Sequence, residues 1–464
     1  MTGPLSASAI FLRRFWGHAF GDPDGPMTWR PFTTLTYWID WHVGGGRPFV
    51  FHLTNLLLFF AVLWMAARFL RAFAGDELGP GARALIVAAF AALAIHADVV
   101  PSATGRGELL AALFALVALD ATLARRPVVV GIALAAAALS KESALPMTVL
   151  APLLAWMRGP RDRRAMGAIL AASALVLLAY ASFRVGRIPF GHGEEQHFFD
   201  NPLYALPATT RAFAVPQVLG HYVAHAGSGI ELCPDYSDAS IVPVARPTLP
   251  GALGAAVIAA CALALAWGMR RRDLLAHAVL GFGASYVVVS HVFFPGIQLV
   301  ADRLLFLPSF WLIALVAIPL SRALRAPRAR DVVAAAVAVF VLAQSALAAN
   351  AALAWRDDAS LFRRGVRACP TNMRLRVERA RTAEGGDERA YNLAIAAAVF
   401  VTFPAPIPED RFPAAWEERP VRDRIAALEA LHTPSAWYLL KARTAQLALG
   451  QEMPDAAAAV RTWP

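Results

Sequence analysis

Lysine is nearly absent from this chain. It occurs only at Lys141 and Lys441, so almost all the basic charge is arginine. Charged residues make up only 16% of the sequence, while 58% is hydrophobic. That balance excludes an ordinary soluble domain, which is about one quarter charged. The three cysteines, Cys233, Cys261 and Cys369, have no metal-ligand spacing, and Cys261 lies inside an apolar run. A disulfide framework is therefore not expected. No positively charged start followed by an apolar core opens the chain, so residues 1–48 do not read as a secretory leader. P-loop, nucleophile-elbow and zinc-protease patterns are missing, which leaves soluble-type ATPases and hydrolases unsupported.

What fills the chain is long apolar runs. A spanning helix needs about 20 predominantly apolar residues. Such runs lie at 50–71, 83–98, 107–124, 165–183, 251–269, 274–294, 304–321 and 331–354. A longer one, 127–157, is interrupted by "SKES" at 140–143 and reads as two short helices meeting at a polar corner. The fold class is thus all-α, a polytopic membrane helical bundle of about ten spans.

The net charge of +10 does not point to nucleic acid, because the arginines cluster in short loops. "RGPRDRR" (158–164), "RRR" (270–272) and "SRALRAPRAR" (321–330) join Arg68, Arg71, Arg83, Arg125 and Arg126 in marking the inner side. Residues 1–48, 98–107, 140–143, 184–250, 295–303 and 355–464 then lie outside. The semi-apolar stretch 209–228 has both flanks outside and reads as an interfacial or re-entrant helix. The domain reading is an external region 1–48, a transmembrane domain 49–354 with a long external loop 184–250, and an external helical domain 355–464.

This topology gathers charge on one side. The stretch 94–121, "AIHADVVPSATGRGELLAALFALVALDA", carries His96, Asp98, Arg106 and Glu108 at the joint between two apolar segments. Lys141, Glu142, Asp302 and Arg303 fall on the same side. Charges at membrane level are costly unless paired and usually mark function. Interfacial snorkelling is the bland alternative for any one of them. In the loop 184–250, His192 and His197 with Glu194 and Glu195 invite a metal reading, but their spacing fits no standard ligand motif. Asp22 and Asp24 in "GDPDGP" read as turn residues, and the four tryptophans of 1–48 as an interfacial belt.

Seven strings in order carry a resemblance: "WRPFTTLTYWIDW…FVFHLTNLLL", "GRGELLAALFAL", "ALSKESALPMTVLAPLL", "FFDNPL", "CPDYSDASIVPV", "ADRLLFLPS" and "AWRDDASLFRRGVRACPTN". Over about 29–372 the chain resembles the transmembrane and tetratricopeptide-repeat O-mannosyltransferases and their bacterial relatives. These are C-type glycosyltransferases using a polyprenyl-phosphate sugar donor. The resemblance implies transfer of a sugar, such as mannose, to an acceptor hydroxyl on a protein or glycan at the external face of a bacterial inner membrane. It assigns Asp98 and Glu108 as catalytic carboxylates that deprotonate or orient the hydroxyl. It assigns Arg30, His52, Asn55, His96, Arg106, Lys141, Glu142, Asp302 and Arg303 to substrate binding, with the cations holding the phosphate leaving group. His52 and Asn55, three apart, are expected to share a helix face. No metal ligand is assigned, and a divalent cation is neither required nor excluded.

The chain departs from the family at three places. Leu93 and Ala94 replace a His-Pro. No regular 34-residue repeat follows "CPTN". The family's first helix and the acidic pair on its first external loop fall before Met1, which leaves a late start or a homologue without that pair as the two readings. Two other function classes stay open, a transporter or flippase of lipid-linked sugars and a non-catalytic membrane scaffold.

Overall fold

The computed structural model describes residues 28–158, 162–185, 208–230, 246–296, 298–324 and 327–385, with shorter pieces that include 201, 203 and 232–237. The strings "GDPDGP" and "GHGEEQHFFD", and everything from 397 onward, lie outside the described residues. So does most of the expected 355–464 domain.

The described regular structure is helical: α1 (Pro31–Gly44), α2 (Pro48–Ala74), α3 (Pro80–Ala92), α4 (Arg106–Leu123), α5 (Pro127–Ser140), α6 (Met147–Arg158), α7 (Arg163–Arg184), α8 (Ala208–Ser228), α9 (Leu249–Gly268), α10 (Leu274–Tyr286), α11 (Phe306–Ala323), α12 (Pro327–Ala352), α13 (Asp358–Ala368) and α14 (Met373–Arg381). Proline sets several of these starts. Pro31, Pro48, Pro80 and Pro127 sit in the first helical turn, where the missing N–H costs nothing. Asp162 caps α7 by accepting from the N–H groups of Arg164 and Ala165.

Five helical segments are long and apolar enough to cross a membrane: Pro48–Glu77, Arg163–Arg184, Leu249–Gly268, Asp302–Ala323 and Pro327–Arg356. The chain is a multi-pass membrane protein. Three further apolar helices, Pro80–Ala92, Pro127–Ser140 and Leu274–Val289, are shorter. The expected run 83–98 is not one span. Its helix stops at Ala92, and Ala94–Asp98 forms a tight 3-10 turn. At 1.5 Å per residue, α3 is about 20 Å long, less than the roughly 30 Å hydrocarbon core.

The break in 127–157 falls where the sequence places it. Lys141 is extended, Glu142–Ala144 is a single 3-10 turn, and α6 starts at Met147. Pro146 has no N–H to donate, which disfavours a continuous helix through the corner and adds to the cost of its polar residues.

A buried aromatic core made by Phe69, Phe73, Phe90, Phe306, Phe310 and Trp311 holds α2, α3 and α11 together. Phe60, Leu175, Leu263 and Leu342 point outward, as helices in lipid require. The middle of α8 lies against α9 so closely that a Cβ on Gly220 would sit 1.7 Å from the Pro250 carbonyl oxygen. Only glycine allows that approach.

One expectation is overturned here. Cys233 and Cys369 form a disulfide, their Cα atoms 6.1 Å apart. The apolar setting of Cys261 argued against a framework, yet Cys261 is simply the free third thiol. The bridge joins the 232–237 segment to the end of α13. Asn372 reinforces it, its amide donating to the Asp235 and Ser237 carbonyls at 2.8 and 3.1 Å. Arg374 pairs with Asp235 at 3.0 Å.

Candidate functional site at one end of the bundle

Both ends of the bundle carry charge. At one end Glu77 pairs with Arg158 (2.6 Å) and Arg322 (3.2 Å), and Arg322 also meets Asp273 (2.9 Å). These residues belong to loops that the arginine pattern places on the inner side. At the other end lie nearly all the sequence-selected site residues.

Arg106 opens α4 and is fully buried. It forms an ion pair with Asp40 at 2.6 Å and donates to Asn55 Oδ1 (2.8 Å) and to the Phe51 carbonyl (2.9 Å). Its guanidinium lies 4.6 Å from the centre of the Tyr37 ring. Asn55 passes the contact on, donating to the Ser102 carbonyl at 2.8 Å. Gly105 makes the turn possible, because a Cβ there would sit 2.2 Å from the Val99 carbonyl oxygen. The "GRGE" string is therefore first a packing motif: a tight turn, a buried arginine, then a carboxylate two residues further on.

That carboxylate, Glu108, receives the Lys141 ammonium in a buried pair. Glu142 turns the other way and takes Arg30 in a two-point contact, at 3.0 and 2.6 Å. Lys141 and Glu142 are neighbours in sequence at a non-helical corner, yet each pairs with a different partner. Burial opposes ionisation of Glu142, but Arg30 overrides it and holds the carboxyl at about 2.

Asp98 ends the 3-10 turn after α3 and accepts from the Arg303 backbone N–H and guanidinium, both at 3.2 Å. Burial pushes Asp98 up to about 6, Asp302 adds to the rise, and Arg303 opposes it. Arg303 also donates to Gln298. Asp302 is buried and doubly held: His225 Nδ1 lies 2.9 Å from Oδ1, and the Tyr236 hydroxyl donates to Oδ2 at 2.7 Å. Gln344, from the middle of α12, accepts from the Ala94 N–H at 2.9 Å and anchors the start of the 94–98 turn.

Two sequence-selected residues stand apart. His52 is exposed while Asn55 is buried, so the expected shared face does not form. His96 is enclosed by the rings of Phe59, Phe90 and Phe306 and meets Ser309 at 3.3 Å. Burial drives its imidazole down to about 3, so it is neutral and offers no charge to an anion.

Asp98, Glu108, Arg30, Asn55, Arg106, Lys141, Glu142, Asp302 and Arg303 thus gather at one end of the bundle in four ion pairs and one histidine-tyrosine-carboxylate cluster. Sequence reading missed Asp40, His225 and Tyr236. The signal for His225 was the "HYVAH" string, two histidines four apart on a half-apolar helix. Asp40 gave none, since it sits in an aromatic stretch that also reads as an interfacial belt.

An apolar cavity of about 1100 Å³ runs along the bundle from the opposite end towards this one. Leu85, Ala89, Val257, Ala264, Val316 and Val337 line its length. It reaches from Glu77 to Ser309, the residue that touches His96.

Comparison with curated proteins finds O-mannosyl-transferases. Protein O-mannosyl-transferase F38B6.6 of Caenorhabditis elegans is 23% identical over 79% of this chain and 52% of its own length. Protein O-mannosyl-transferase TMTC3 of Mus musculus is 25% identical over 66% of this chain and 37% of its own. Protein O-mannosyl-transferase TMTC2 of Mus musculus is 34% identical, over 24% and 13%. The chain thus spans about half or less of the length of these relatives. No family model matches, and no solved structure matches. The ordered strings and these similarities together make the chain a relative of the TMTC-type protein O-mannosyl-transferases.

Proposed function

We propose that this chain is a membrane glycosyltransferase that moves mannose from a polyprenyl-phosphate donor to an acceptor hydroxyl at the external face. The observation that carries this reading is the gathering of Arg303, Arg30 and Lys141 at helix ends on one side of an apolar bundle. Arg303 is the most accessible of the three, its side chain 26% exposed. A phosphate leaving group gains negative charge as the sugar departs, and a fixed guanidinium stabilises that charge. The apolar cavity supports the reading by offering length for a prenyl tail.

Asp98 and Glu108 also anchor cations, Asp98 holding Arg303 and Glu108 holding Lys141. Arg303 opposes the rise that burial imposes on Asp98, yet its carboxyl still stands at about 6, which makes it a stronger base towards an acceptor hydroxyl than an ordinary carboxylate.

The transporter reading requires charge along a path through the bilayer, often at mid-membrane breaks. Among the described site residues the charges sit at helix ends, which favours the enzyme. The test is turnover of mannosyl-phosphoryl-polyprenol by the full chain in lipid nanodiscs, read as release of polyprenyl phosphate. Release that is lost in Arg303→Ala supports the assignment. Movement of intact donor between leaflets of a vesicle, without release, overturns it in favour of transport.

A further inference from the structure

One side chain in the middle of a spanning helix serves two segments of the site at once. Gln344 lies within the Pro327–Arg356 segment and is 2% exposed. A side-chain amide carries one carbonyl acceptor and two N–H donors, and in lipid each needs a partner. Gln344 finds them at two chain ends. Its Oε1 accepts from the Ala94 N–H at 2.9 Å, and its Nε2 donates to the Gly227 and Ala226 carbonyls at 2.9 and 3.4 Å. These are groups that helix geometry leaves orphaned. Ala94 opens the 3-10 turn after α3, and Ala226 and Gly227 fall in the last turn of α8. Gly229 follows α8 in the left-handed region, at φ 65°, and a Cβ there would sit 2.8 Å from Gln344 Oε1. Glycine is what lets this end of α8 reach the amide.

Both segments lead to Arg303. The turn that starts at Ala94 ends at Asp98, which accepts from the Arg303 backbone and guanidinium. The last turn of α8 carries His225, which meets Asp302, the residue before Arg303. Gln344 also continues the wall of the apolar cavity. Val333, Val337 and Phe340 of α12 line that cavity, and Gln344 follows at the same helical spacing, one turn past Phe340. Ala226 and Gly227, whose carbonyls it holds, line the cavity too.

We propose that Gln344 is a positioning residue that links the apolar cavity to the phosphate-holding Arg303. This rests on the glycosyltransferase reading above. A polyprenyl tail packed along the 333–340 stripe fixes α12 against the bundle. Gln344 then holds the 94–98 turn and the end of α8 in place, and these hold Arg303 where the charge of the leaving phosphate develops. A donor with a short tail reaches Arg303 but leaves the stripe uncovered, so the guanidinium is less firmly placed when the sugar departs. The tail thus raises kcat as well as affinity, because binding energy from a remote part of the substrate goes into order at the reacting bond. An apolar side chain of similar size at this position keeps the helix suited to lipid and breaks the link.

The experiment compares mannosyl-phosphoryl-undecaprenol with mannosyl-phosphoryl-citronellol as donors to the full chain in nanodiscs, water serving as acceptor. The unaltered chain should turn over the long donor with a kcat roughly 10- to 100-fold above that of the short one. In Gln344→Met the two kcat values should converge, while the long donor keeps its lower KM. Equal kcat for both donors in the unaltered chain, or an advantage that survives in Gln344→Met, overturns the proposal and leaves the glycosyltransferase reading intact. Absence of release from either donor by the unaltered chain overturns that reading instead. The link is then read without activity, by hydrogen exchange of the 94–98 and 226–229 amides with undecaprenyl phosphate or citronellyl phosphate bound. Undecaprenyl phosphate should slow exchange about tenfold in the unaltered chain, citronellyl phosphate should not, and Gln344→Met should abolish the slowing. Equal exchange with the two phosphates overturns the proposal, and that comparison needs only the unaltered chain, so it decides the matter even where Gln344→Met fails to accumulate.

Discussion

The two charged ends of the bundle are built from the same residue types and differ in burial. At the end that holds Glu77, Arg322 and Glu77 are 36% and 41% exposed. At the other, Arg106 is 0% and Asp40 7% exposed. Exposed pairs are screened by water and contribute about 0–1 kcal/mol. Buried pairs stabilise little in net terms, yet breaking one strands a charge and costs about 3–5 kcal/mol. The pairs at the Glu77 end are thus replaceable, whereas those at the site are interlocked. A multi-pass protein does not gather four cations and their carboxylate partners at one end for stability alone, since apolar residues would serve that purpose equally well.

The largest effect that separates the two ends is expected from Arg106→Ala. It strands Asp40 and leaves Asn55 Oδ1 and the Phe51 carbonyl without their donor. A loss of about 3–5 kcal/mol should appear as a large fall in thermal stability in detergent, or as failure to accumulate. Next is Lys141→Met, which leaves Glu108 uncompensated beside the phosphate-holding arginines. The donor KM should rise about 10- to 100-fold, as loss of a charge-assisted contact implies. Lys141→Met with Glu108→Gln should recover part of it. A double variant no better than the single one would break the view that the pair acts as a unit.

Removing the disulfide tests how far the site depends on its outer support. Cys369→Ser should lower the unfolding midpoint by the equivalent of about 2–4 kcal/mol. It should also lower donor turnover, because Tyr236 loses its anchored neighbour. A smaller, pH-dependent effect belongs to Asp98. Its folded pKa is raised to about 6, so its contribution to stability is complete below the ordinary carboxylate range and is lost as pH rises through 6. Stability measured from pH 4 to 8 should therefore fall more steeply with rising pH in the unaltered chain than in Asp98→Asn. The smallest effect is expected from Arg322→Ala, a change of about 1 kcal/mol or less that salt further reduces. A loss as large as that of Arg106→Ala would erase the contrast between the ends.

Much of this contrast was legible in the chain. The corner at 140–143 announced itself by polar residues inside an apolar run, because a lipid-facing helix does not carry them. The charges near 98, 106, 141 and 302 were assigned to one side from arginine placement alone, and the structure gathers them at one end. The pairings were not legible. Glu142 is adjacent to Lys141 in sequence but answers Arg30, 112 residues away. His52 and Asn55 are three apart on one helix, yet one is exposed and the other buried. Cys233 and Cys369 are 136 residues apart, and no local pattern links them.

Composition and periodicity were enough to specify a helical membrane bundle and the break at 140–143, though not the one after Ala92, because these follow from the local free energy of placing a residue in lipid or water. Which cation meets which carboxylate, which carboxylate meets His225 and which cysteines meet were decided only by tertiary packing. Those contacts depend on the relative positions of helices far apart along the chain, and burial, the quantity that makes the site's end differ from the other, is a property of the assembled bundle.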